Sequence, residues 1–255
     1  MCSTVAACQI PIEDLGVDRN RSRVRECVTG LPEAVDLAVF PEHTLTGFVP
    51  DERIRTAALP RAGEAVDELR SLATDQGLAL AVGFVEDAGD QYHNAVAYVT
   101  PEGDLTIYRK RHLWAGERDL LVPGSERVTV ETPVGTAGVL TCYDLNFVEN
   151  SAALAREGVT ALLIAGAWPA AYSENWRLLL RARALDGVRW TIGANRTGTR
   201  DTPDTVPVTF GGRSMVARPD GGVHRSLDRG ERTLVTELDP AVLAQQRDLI
   251  GVFAE

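Results

Sequence analysis

Short apolar runs recur along the chain, separated by longer stretches that are apolar on one face only. Residues 5–10, 37–40, 78–85, 95–100 and 105–109 read as strands in the first half. Residues 128–131, 137–141, 160–165, 189–194 and 233–237 do so in the second half. Segments 212–217 and 222–226 read as a hairpin across Pro219-Asp220-Gly221. Helical patterns cover 20–31, 63–76 (closed by Gly77), 148–157 and 174–186. A last helix opens at Asp239, with Pro240 at its first position. Residues 111–127 form a long mixed segment that reads as a functional loop. Strands alternating with crossover helices predict an α/β layered domain, and the hairpins make its sheets mixed. No Ser/Gly/Pro-rich linker, charge block or short repeat divides the pattern, so residues 1–255 read as one domain.

Composition narrows the class further. Of 255 residues, 44% are hydrophobic and 24% charged, which excludes disordered, collagen-like and coiled-coil chains. The net charge of −10 offers no overall basic footprint for nucleic acid or an anionic membrane. The start of the chain lacks the pattern of a secretory signal, and the longest apolar stretch, near 161–171, is too short to span a bilayer. The expectation is a soluble, cytoplasmic protein. Four cysteines (Cys2, Cys8, Cys27, Cys142) make no C-x-x-C pair, and the four histidines have no zinc-ligand spacing, so no metal is expected.

One count bears on chemistry. The chain has a single lysine, Lys110, against 25 arginines. Arg is a bulky planar fork, whereas Lys is a compact point charge on a narrow stem. Lys110 also stands directly after a strand run, as do Glu42 and Cys142. The carboxyl ends of strands are where α/β proteins bind ligands. A carboxylate, an ammonium and a thiol form a working set for acyl transfer: the base activates the thiol and the ammonium stabilises an oxyanion. Each has a plainer reading too, Cys142 as a small buried hydrophobe and Glu42 as a loop or cap residue. Position alone does not separate the two.

The neighbouring residues do. The segment Phe40-Pro41-Glu42-His43-Thr44-Leu45-Thr46-Gly47-Phe48 resembles the Pro-Glu…Thr-Gly-Tyr segment of the nitrilase (carbon–nitrogen hydrolase) superfamily. Tyr108-Arg109-Lys110-Arg111-His112-Leu113 is similar to its lysine segment, and Gly138-Val139-Leu140-Thr141-Cys142-Tyr143-Asp144-Leu145 to its nucleophile segment. Glu117 and Gly124 match the loop after the lysine. Trp176 to Asp186, Gly193-Ala194-Asn195-Arg196 and Phe210-Gly211-Gly212-Arg213-Ser214 match later parts.

The resemblance implies a four-layer α-β-β-α sandwich, homodimeric or a higher homo-oligomer, that needs no cofactor. It makes Cys142 the nucleophile, Glu42 the general base, and Lys110 with the Tyr143 backbone N–H the oxyanion donors. Glu117 would be a second glutamate that orients or protonates. The implied reaction is hydrolysis of a small linear amide through a Cys thioester, releasing ammonia or an amine. An N-carbamoyl or nitrile substrate, acyl transfer on the same fold, and a non-catalytic scaffold are the alternatives. Tyr143-Asp144 after the cysteine favours the amidase and ω-amidase branches over nitrilases. Phe48 where the family has Tyr, and Asn146 and Val148 where it often has Arg and Pro, leave substrate preference open. Phe48, Trp114, Trp168 and Tyr172 are candidate substrate contacts. Arg196 and Arg200 could meet a substrate carboxylate, with solvated arginines the plainer reading, and His43 and His112 read as structural.

Overall fold

In the first strand, Val5 and Ala7 face one way and Ala6 and Cys8 the other, and all four are buried. A strand with two buried faces must lie between two layers. The computed structural model describes residues 2–251, and the same pattern recurs in its inner strands but not at the sheet edges. The strands are β1 (Ser3–Gln9), β2 (Leu37–Val39), β3 (Ala79–Asp87), β4 (Tyr92–Val99), β5 (Leu105–Arg109), β6 (Thr129–Thr132), β7 (Gly135–Thr141), β8 (Ala161–Gly166), β9 (Trp190–Asn195), β10 (Thr199–Arg200), β11 (Val208–Thr209), β12 (Met215–Ala217), β13 (Val223–Ser226) and β14 (Arg232–Leu238). The helices are α1 (Val17–Thr29), α2 (Ile54–Ala57), α3 (Glu64–Gln76), α4 (Glu117–Leu120), α5 (Val148–Arg156), α6 (Ser173–Asp186) and α7 (Pro240–Ile250).

Two six-stranded sheets result, in the orders β14-β1-β2-β3-β4-β5 and β13-β12-β9-β8-β7-β6. Each has three parallel strands at its centre, β1-β2-β3 and β7-β8-β9, flanked by antiparallel ones. The sheets face each other across one core, to which Val5, Val39, Val96, Val139, Leu163 and Ile192 contribute. The outer face of the first sheet packs on α1 and α3 through Val24, Val28, Val66 and Leu69. The outer face of the second packs on α5 and α6 through Leu154, Trp176 and Leu180. The layers are therefore α-β-β-α with mixed sheets, as the sequence predicts.

Boundaries differ locally. The first helix begins at Val17 rather than residue 20, because Asn20 is buried inside the helix, not at its start. Its amide bonds the Glu13 backbone on both sides and the Leu45 carbonyl. The hairpin strand starts at Met215 rather than 212: Gly212 and Arg213 have positive φ and cannot extend a ladder. The segment 111–127 contains α4, one short turn of helix that begins at Glu117.

Candidate active site

The two sheets bring the carboxyl ends of β2, β5, β7 and β8 to one end of the sandwich, where a cavity of about 410 Å³ opens. Glu42, Lys110, Glu117 and Cys142 all line it and all are buried. So four residues separated by up to a hundred positions in sequence share one site.

Glu42 sits in a turn that crosses over β3. A Cβ at Gly83 would lie 2.5 Å from the Pro41 carbonyl oxygen and 2.8 Å from the Glu42 Cα, so only glycine permits this close approach. On its other side the Glu42 Oε2 accepts from the Ala167 N–H at 3.1 Å, which ties the turn to the end of β8 in the facing sheet.

Lys110 Nζ donates to Glu42 Oε1 and Glu117 Oε2, both at 2.7 Å. Asn94, on β4, donates through one amide nitrogen to Glu42 Oε1 at 2.7 Å and Glu117 Oε1 at 2.5 Å. The Trp114 N–H adds a bond to Glu117 Oε2 at 2.7 Å, and His43 Nε2 lies 3.4 Å from Glu117 Oε1. Burial opposes the charge on Lys110, but two carboxylates in contact with it hold the ammonium well above the ordinary lysine value. Burial alone would raise Glu117; Lys110 and the His43 hydrogen bond outweigh it and hold the carboxyl at about 2. Glu117 is therefore ionised at neutral pH.

Cys142 directly follows β7 with φ +46°, left-handed for a non-glycine residue, and opens a 3₁₀ turn over Cys142–Asn146. Asp144 holds this turn. Its carboxylate accepts from the Thr141 N–H at 3.0 Å, the Tyr108 hydroxyl at 2.6 Å and the His112 N–H at 3.0 Å. The same carboxylate thus fixes the cysteine turn and both flanks of Lys110. Burial pushes the Cys142 thiol well above its ordinary value, and the charge of Glu42, to which the thiol donates, adds to this. Lys110 and the Ala167 N–H pull the other way. The resting thiol is therefore neutral at neutral pH.

Tyr143, second in the 3₁₀ turn, lines the cavity, at a helix start where backbone N–H groups lack intrahelical acceptors. Phe48, Trp114, Trp168 and Tyr172 also line it, with Phe210 and Val208. Ligand atoms of Glu42, His43 and Glu117 lie within 4.8 Å of one another, a spacing that could hold a metal. The Lys110 ammonium already bridges the two carboxylates, so a metal cation would meet a charge of its own sign there.

The expectation of solvated arginines needs correction. Arg196 is buried, pairs with Asp14 through two contacts of 2.8 Å and lies 4.1 Å over the Phe210 ring. Arg200 is half-buried on the cavity wall. A carboxylate partner draws the first inward, and the β10–β11 ladder carries the second. His43 contacts Glu117 and lines the cavity, whereas His112 bonds Asp144 at 2.9 Å outside it. Asn94 and Gly83 escaped sequence reasoning. The signal for Asn94 was a buried amide within an apolar strand, and for Gly83 a glycine at its middle.

Comparison with known proteins agrees with this geometry. Residues 4–248 match the model of the carbon-nitrogen hydrolase family. An (R)-stereoselective amidase of a Pseudomonas species is 33% identical over 220 residues, covering 86% of this chain and 79% of that one. The 2-oxoglutaramate amidase of Paenarthrobacter nicotinovorans is 30% identical, covering 92% and 83%. Among solved structures, a CN-hydrolase superfamily protein of Xanthomonas campestris superposes with a TM-score of 0.90 at 24% identity, covering 98% of this chain and 96% of that one. At that identity the likeness is one of fold. Among the described residues no helix is long and apolar enough to cross a membrane. A family match over nearly the whole chain, with amidases among its relatives, makes the chain an amidase-type hydrolase of the carbon-nitrogen hydrolase family, within the nitrilase superfamily.

Proposed function

We propose that the chain hydrolyses a small linear amide through a thioester on Cys142. The observation that carries this is that Cys142, Glu42 and the Lys110 ammonium are buried together on one cavity, with Lys110 Nζ 2.7 Å from Glu42. A neutral thiol is a poor nucleophile, and Glu42 is placed to take its proton as the sulfur attacks the carbonyl carbon. The carbonyl oxygen becomes an oxyanion, met by Lys110 Nζ and the Tyr143 N–H. Glu42 then returns the proton to the leaving nitrogen, the C–N bond breaks, and ammonia or an amine departs. A water gives its proton to Glu42 and attacks the thioester, releasing the carboxylic acid and restoring the thiol. Glu117 stays charged throughout and holds Lys110 in place.

The cavity is at the small end of ligand sites, which suits a short substrate. Phe48, Trp114, Trp168 and Tyr172 supply its apolar walls. Leu178 and Leu185, seven residues apart on one face of α6, are exposed, which supports pairing with a second copy.

The experiment is ammonia release from a panel of short amides, N-carbamoyl compounds and nitriles, with Cys142→Ala alongside. Cys142-dependent release from amides is expected. Release only from nitriles or carbamoyl compounds, or acyl transfer to an added amine without hydrolysis, would replace this reading.

A further inference from the structure

Two buried carboxylates share the site, and their acceptor positions are not equally filled. A carboxylate has about four lone-pair positions, two on each oxygen. Glu117 has partners for all of them. Lys110 Nζ and the Trp114 N–H meet its Oε2, both at 2.7 Å, while Asn94 Nδ2 at 2.5 Å and His43 Nε2 at 3.4 Å meet its Oε1. Glu42 falls one short. Lys110 Nζ and Asn94 Nδ2 meet its Oε1, both at 2.7 Å, but Oε2 has only the Ala167 N–H, at 3.1 Å.

Besides Lys110, the residue that bonds both carboxylates is Asn94. It is buried on β4, and sheet pairing fixes its place: its backbone carbonyl accepts from the Lys110 N–H at 2.7 Å. An amide nitrogen carries two hydrogens, one for each carboxylate. The opposite orientation of the amide would set its oxygen against both negative charges, so the network dictates which way it points. Its Oδ1 is left buried without a partner. An unpaired buried carbonyl is costly. A leucine of similar shape would escape that cost and supply neither donor.

We infer that Asn94 is a positioning residue that commits proton transfer to Oε2 of Glu42. With Lys110 it fills both positions on Glu42 Oε1, and with Lys110, Trp114 and His43 it fills Glu117. Among the described residues, the one open carboxylate position of this pair is then on Glu42 Oε2. As the Cys142 sulfur bonds to carbon, the thiol proton passes to that oxygen, and the leaving nitrogen takes it from there. Without Asn94 each carboxylate gains an open position on Oε1, so the proton has three destinations instead of one. The inference rests on the amidase reading above for the amide step, but deprotonation of Cys142 by Glu42 needs no substrate.

The test is a double-mutant cycle on the alkylation of Cys142 by iodoacetamide. There the sulfur bonds to the methylene carbon, iodide leaves and Glu42 takes the thiol proton. Asn94→Leu should slow Cys142 alkylation on the order of 10–100-fold, the range for losing hydrogen bonds to charged groups, and leave Cys27 alkylation unchanged. Glu42→Gln should slow it too, and adding Asn94→Leu to Glu42→Gln should slow it no further, because Asn94 acts through that carboxylate. A purely structural asparagine would slow alkylation by the same factor in both backgrounds, and that result would overturn the inference. So would a wild-type rate in Asn94→Leu. Asn94→Ser, smaller and still polar, takes its place in the cycle where melting curves show that Asn94→Leu does not fold. In amide turnover the Asn94 variant should lose kcat by a similar factor, with KM within about threefold of wild type. A loss carried by KM instead would make Asn94 a substrate-packing residue and overturn the inference. A cycle that behaves as expected in a protein that turns over no amide would defeat the amidase reading and keep the role of Asn94.

Discussion

Replacing Lys110 by Met keeps the length of the side chain and removes the one charge that two buried carboxylates share. Lys110 Nζ is 2.7 Å from an oxygen of each. At an effective dielectric of about 20, one such contact corresponds to roughly 6 kcal/mol of attraction, and the two to about 12 kcal/mol, before desolvation is counted. Most of that offsets the cost of burying three charges. The loss on breaking the arrangement is not offset, because Glu42 and Glu117 remain buried and now repel. A destabilisation of about 3–5 kcal/mol follows, or roughly 10 °C in Tm for a chain of this size. Hydrolysis should fall by at least the 10²–10³ in kcat typical of losing an oxyanion donor. Lys110→Arg keeps the charge, but a planar fork does not fit where a compact ammonium meets two carboxylates, so it should fold better than Lys110→Met and still lose activity. Adding Glu117→Gln to Lys110→Met removes one stranded charge and should recover about 0.5–3 kcal/mol of stability, without activity. Thermal melts and ammonia release measure all of this. A Lys110→Met protein that melts within about 2 °C of wild type would refute the reasoning, since the carboxylates would then not depend on the ammonium.

Acid should unfold the protein partly through Glu117. Its folded-state pKa of about 2 lies below the ordinary 4.5, so its contribution is full above pH 4.5 and is lost as pH falls from there towards 2. The difference amounts to about 3 kcal/mol, and urea midpoints across that range should flatten in Glu117→Gln; an unchanged slope would contradict it. Cys27, held at about 7 chiefly by a hydrogen bond from Cys8, should react with iodoacetamide at neutral pH without inactivation, whereas loss of activity should track Cys142 and quicken above pH 9. Inactivation that follows labelling of Cys27 would reassign the nucleophile. Gly83→Ala should cost about 1–3 kcal/mol and much of the activity, because its Cβ must displace the Glu42 turn; a fully active, fully stable Gly83→Ala would show that the turn can move.

The α/β class was legible because apolar runs alternate with one-faced helical stretches along the chain, while the four-layer order came from the resemblance; that both faces of β1 are buried is visible only in the fold. The residues proposed to react were legible because each follows a strand run, because lysine occurs once, and because the segments around them resemble a known family. What failed to show was what acts across the sandwich. Asn94 reads as one polar residue in a strand, and only the pairing of β4 with β5 puts its amide between two carboxylates. Asp144 stands two residues from the cysteine, yet its work is to bind Tyr108 and His112 from another strand end. Arg196 and Arg200 look alike in sequence, and their difference depends on Asp14, some 180 positions away.

The most direct test of the account is rapid-quench mass spectrometry during turnover of an amide the enzyme accepts. The account predicts a transient mass gain equal to the acyl group, confined to the peptide that holds Cys142 and absent from Cys142→Ala. An adduct on Cys2, Cys8 or Cys27, or Cys142→Ala turnover at the wild-type rate, would contradict it.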